Sequence, residues 1–80
     1  MPYISPNPAA DILNLHFIAN GNTLLRVISV TGQLLIEKKL TAANNNPSDQ
    51  QLDISKLSPG MYFVYIRSAK SAVTKKFMKQ

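Results

Sequence analysis

The chain has no cysteine and no tryptophan, a single histidine, four acids and three glycines in 80 residues. Without thiols there is neither a disulfide staple nor a cysteine zinc cluster. His16 has no second histidine to share a metal, and it reads as an ordinary exposed strand position. Asp49 and Asp53, the nearest acids in sequence, flank a strand start at a spacing that does not place them side by side for paired-carboxylate hydrolysis. Asp53 reads instead as a turn acceptor. No spacing supports a serine–histidine–aspartate set, and the isolated Gly32 and Gly60 make no phosphate-cradling loop. No apolar run approaches the roughly 20 residues needed to cross a bilayer, and Met1-Pro2-Tyr3-Ile4 lacks the regions of a signal peptide. The chain therefore offers no catalytic, cofactor-binding or metal-binding residue, and no enzyme is expected.

What is present is apolar. Such residues make up 45% of the chain and charged ones 16%, a foldable composition. The length reads as one domain over 1–80, consistent with excision from a larger secreted protein. A chain this short buries only about 60–65% of its unfolded surface, so stability must come from apolar strands or from a parent protein. The formal net charge of +5 is unevenly placed. Residues 54–80 carry Lys56, Arg67, Lys70, Lys75, Lys76 and Lys79 with no acid, whereas residues 1–53 hold three cations against four acids. The asymmetry fits an anionic partner, or strand edges kept soluble by lysine.

Period-two patterning runs through the chain. Residues 11–18 place Leu13, Leu15 and Phe17 on one face and Asn14 and His16 on the other, and Asn20-Gly21-Asn22 reads as the closing turn. Residues 24–30 form a strand with Leu25 and Val27 inward, Thr31-Gly32-Gln33 turns, and residues 34–40 return. Residues 41–50 read as a polar loop, with Leu52 and Ile54 inward on the short strand after it. Residues 61–66 are consecutively apolar, as in a strand buried on both faces. Residues 72–78 form a last strand of ambiguous parity, and the Tyr3-Ile4 or the Gln50 region offers a further one. Turn signals recur about every 8–12 residues, which predicts a small immunoglobulin-like antiparallel β-sandwich of about seven strands. Phe63, Tyr65 and Arg67 share a face, the ingredients of a nucleic-acid stacking platform. The apolar run around them reads more simply as core, and no nucleic-acid partner is expected.

The corner before that strand is the sharpest signal. In Leu57-Ser58-Pro59-Gly60-Met61-Tyr62, proline and glycine set a tight turn, and the tyrosine is placed to bond back to the upstream backbone as in a tyrosine corner. Together with Ser5-Pro6-Asn7-Pro8-Ala9, the strand Val27-Ile28-Ser29-Val30-Thr31-Gly32-Gln33-Leu34 and the basic ending Thr74-Lys75-Lys76-Phe77-Met78-Lys79, this corner resembles the C-terminal sorting domain, type A, of the type IX (Por) secretion system of Bacteroidota. The match extends from Tyr3 to Lys79 and rests on Pro6, Asn7, Pro8, Gly32, Leu57, Pro59, Gly60 and Tyr62 as structural motif positions. Ser29 departs from it, standing where the family often has aspartate.

The resemblance implies a domain without chemistry or cofactor. It would direct N-terminal cargo domains of the same parent chain from the periplasm through the outer-membrane translocon. A sortase-like peptidase would then remove it, leaving the cargo at the outer-membrane surface or outside the cell. Translocon components are the implied partners. The exposed lysine-rich last strand is the expected recognition element, with Lys75, Lys76, Phe77 and Lys79 as its residues. An adhesive or carbohydrate-binding module of a secreted enzyme is the alternative; a row of exposed aromatics or a calcium site would mark it.

Overall fold

The computed structural model describes residues 3–5 and 10–80, and the expectations for Pro6, Asn7 and Pro8 lie outside the described residues. Five strands follow one another: β1 (Tyr3–Ser5), β2 (Ile12–Ser29), β3 (Leu34–Asp53), β4 (Gly60–Arg67) and β5 (Ala72–Lys79). Every pairing is antiparallel. The sheet runs β1-β2-β4-β5, with β3 on the opposite edge of β2. β2 is thus the spine. Its first half holds β1 through Asn14, Leu15 and His16, and its second half holds β4 through residues 24–29.

The β2–β3 ribbon turns at residues 29–33. Gly32 has φ +91°, a left-handed state that a side chain resists, and its N–H donates to the Ser29 carbonyl at 3.0 Å. Ser29 Oγ accepts the Gln33 N–H at 3.1 Å and lies 2.9 Å from Thr31 Oγ1. The Ser29 hydroxyl thus caps the turn.

Halfway along, the ribbon bends. Ala19 faces Asn46 but Gly21 faces Ala42, so one residue of β2 spans several of β3. Such bulges bend a strand and increase its twist. Gly21 takes φ +68° at this point, and the buried Asn20 accepts the Ala69 N–H at 3.0 Å through its carbonyl, tying the β4–β5 turn to the bend. The inward parity of β2 survives the bend: Leu13, Leu15, Phe17, Ala19, Leu25 and Val27 all lie in one core. Leu52, Ile54, Tyr62, Val64, Ile66 and Phe77 complete it. The sheet curls over this concave side until β1 comes alongside β5.

The all-β antiparallel reading is what the chain adopts, but the seven-stranded sandwich is not. Residues 11–18 and 24–30 are one bent strand, and so are 34–40 and 51–54; the sheet is single and curled, a half-barrel. Asn20-Gly21-Asn22 bends a strand instead of closing a hairpin, because β3 keeps pairing on both sides of it. Residues 41–50 are strand and not loop, because they continue β3 along β2. β4 is buried on one face only. Tyr62, Val64 and Ile66 are buried while Met61, Phe63 and Tyr65 are half-exposed.

Candidate functional site

The corner into β4 forms as its residues require. Asp53 accepts the Ser55 hydroxyl at 2.7 Å and the Ser55 N–H at 3.0 Å. These bonds hold its carboxyl below the usual carboxylate range, the hydroxyl contributing most. Leu57 packs against the core, with its N–H on the Ile54 carbonyl at 3.0 Å. Gly60 takes φ +150° after Pro59. Tyr62 then donates its hydroxyl to the Ser58 carbonyl at 2.5 Å, the bond that defines a tyrosine corner. Leu57, Pro59, Gly60 and Tyr62 are therefore brought together, and Gly32 serves its own turn elsewhere.

The corner delivers β4, and β4 carries β5. Among the described residues β5 pairs with β4 alone, so it is an edge strand. The register sets Lys75 opposite Val64, Lys76 opposite Phe63, Phe77 opposite Tyr62 and Lys79 opposite Gly60. Opposed residues share a face, so the four expected recognition residues divide. Phe77 is 1% exposed and stacks on Tyr62 at 5.7 Å between ring centroids. Lys79 is buried on the same side, its Nζ donating to the Gln80 carbonyl at 3.0 Å. Lys75 shares that parity, opposite the buried Val64, and is half-buried. Only Lys76 stands on the outer face and is exposed. The parity that the sequence left ambiguous is settled by Phe77, the one large apolar residue that the core can take.

The ion pairs on the outer face of the sheet were not read from the sequence. Arg26 Nε meets Glu37 Oε2 at 2.8 Å there, between β2 and β3. At the far end of the ribbon His16 Nδ1 lies 2.5 Å from Asp49 Oδ1. The first pair sits close to the turn at residues 29–33, whereas the second depends on a register that crosses the bend. Reading 49 as part of a loop hid the second altogether. Near the bend an open groove of about 810 Å³ runs beside Thr23, Leu24, Lys39, Thr41, Arg67 and Ser68. Among the described residues no three His, Cys or acidic groups converge on a point.

The sequence profile of a family described as "Secretion system C-terminal sorting domain" matches residues 3–80. No curated protein is matched. Among solved structures, the crystal structure of dimeric latent PorU from Porphyromonas gingivalis superposes with a TM-score of 0.76 at 16% identity. The superposition covers 98% of this chain and 9% of that one, so the likeness is one of fold over a small part of a much longer protein.

Proposed function

The chain belongs to the Por secretion system C-terminal sorting domain family, and from that premise we propose that it is the type A form, carrying cargo through the type IX outer-membrane translocon. A sorting domain is a non-catalytic signal for export, and the family implies engagement of the secretion machinery and an exported cargo. On this reading the cargo lies N-terminal in the same parent chain, waits in the periplasm and crosses to the outer-membrane surface or beyond. A sortase-like peptidase then cuts the domain away. Translocon components read β5, a strand at the margin of the sheet that pairs with β4 alone among the described residues. Lys76 is presented outward from it, Lys75 and Lys79 line the inner rim, and Phe77 keeps the strand seated. The observation that carries the reading is the family match over residues 3–80.

The test is export of a fluorescent reporter placed between a signal peptide and residues 3–80, in a Bacteroidota strain with an intact type IX system and in one lacking the translocon. Reporter at the surface or in the medium of the first strain alone is the expected result. Reporter held in the periplasm of both sinks the sorting reading and favours an adhesive or carbohydrate-binding module. Removing residues 74–80 is a poor probe, because it takes Phe77 out of the core. The charge reversal K76E, on the outer face, leaves the core in place, and export is expected to fall.

A further inference from the structure

On β4 the side chains facing away from the core are Met61, Phe63, Tyr65 and Arg67, and none of them joins the core cluster. An outward strand face is ordinarily polar. Here it holds four residue types of the kind enriched at protein interfaces: methionine, phenylalanine, tyrosine and arginine. The register extends the face sideways. Phe63 lies between Ile28 and Lys76, and Leu34 continues that row beyond Ile28. Tyr65 lies between Arg26 and Thr74, and Met61 faces Met78. Leu34 is 49% exposed and Met78 41%. The face is also of one sign. Lys39 and Arg67 flank Leu24 and Lys76 flanks Phe63, while the acid on the same rows, Glu37, is already engaged by Arg26.

We propose that this outer face docks a protein partner whose contact surface is apolar at its centre and ringed by carboxylates, with Phe63 and Tyr65 as anchors. The proposal rests on the sorting reading and names the chemistry of one partner in it. Half-exposed apolar residues in adjoining rows are the makings of an interaction site, and aromatic anchors with arginine at their margin dominate such interfaces once buried. Charge complementarity selects the occupant. A second copy of the chain would set Lys39, Arg67 and Lys76 against like charges. A single-stranded nucleic acid needs a continuous cationic track, which Leu24, Ile28, Leu34 and Met78 interrupt.

The experiment is a titration of the isotopically labelled chain, followed by amide chemical shifts, with two probes. One is a monomeric helical peptide bearing a leucine stripe flanked by glutamates; the other is polyglutamate of equal charge. Shifts centred on Ile28, Phe63, Tyr65 and Lys76 with the first probe alone are expected. F63T/Y65T, which keeps strand-favouring side chains and is checked for retained amide dispersion, is expected to bind about tenfold more weakly. The same variant in the export assay should lose surface reporter. The proposal is overturned by absent binding, by equal binding of polyglutamate, by shifts confined to the β5 edge, or by self-association through this face without peptide. Export of F63T/Y65T at the level of the parent chain overturns it too, while leaving the sorting reading intact. If the parent chain itself is not exported, the sorting reading falls and the titration alone decides the surface.

Discussion

Tyr62 does two things with one ring: its hydroxyl closes the corner on Ser58 and its face stacks on Phe77. The two are separable by substitution. Tyr62→Phe keeps the stack and leaves the Ser58 carbonyl short of a donor, a loss of about 1 kcal/mol that urea unfolding would read. Phe77→Ala empties a fully buried site and should cost about 3–5 kcal/mol. A domain of this size holds roughly 4–12 kcal/mol in all, so that variant sits near the unfolding threshold. Loss of export in it would report folding and not recognition. Asp53 adds a pH dependence of known sign. Its folded pKa lies below the ordinary value of 3.8 because of the Ser55 bonds. The stabilisation is therefore present above that value and is lost as pH falls through the lower, folded one. Stability should decline more steeply below about pH 4 in the parent chain than in Asp53→Asn. Thermal unfolding across pH 2–6 compares them.

The elements are decided by the bend in the β2–β3 ribbon. Gly21 at φ +68° has room for a methyl group, whose nearest neighbour would be the Ala69 side chain at 3.9 Å. The obstacle to alanine there is conformational, and Gly21→Ala is expected to cost about 1–2 kcal/mol with no steric clash. A cost near zero in equilibrium unfolding would mean that the bend is carried by β3 alone. The inward residues of β2 and the tyrosine corner were legible in the sequence, because alternation and Pro-Gly chemistry act over a few residues. The joining of the strands was not. Asn20-Gly21-Asn22 looks the same whether it ends a strand or bends one, and the choice belongs to β3, more than 20 residues away in the chain. The division of Lys75, Lys76, Phe77 and Lys79 between two faces was hidden for a related reason. One parity groups Phe77 with Lys75 and Lys79, the other groups Met78 with Lys76, and nothing local chooses between them until Tyr62 supplies the partner ring.

For the molecule as a whole, one strand organises the rest. β2 pairs with β1, β3 and β4, and its partners in β4 lie some 33–43 residues away in sequence. Non-local pairing of that kind folds slowly, on the millisecond-to-second scale of all-β domains, and stopped-flow refolding should show it. Among the described strands, hydrogen exchange should be slowest at the inward positions of β2 and faster in β5 at the margin of the sheet. The closing of β5 onto β4 also has an optical side. The chain contains no tryptophan and three tyrosines, so tyrosine alone dominates its near-ultraviolet absorption and emission. Of Tyr62 and Tyr65, the former is locked in a stack inside the core and the latter is half-open to water. A locked ring in an asymmetric setting gives a circular dichroism band that a tumbling one does not. The docking of the basic last strand can thus be watched through Tyr62 in the unlabelled domain.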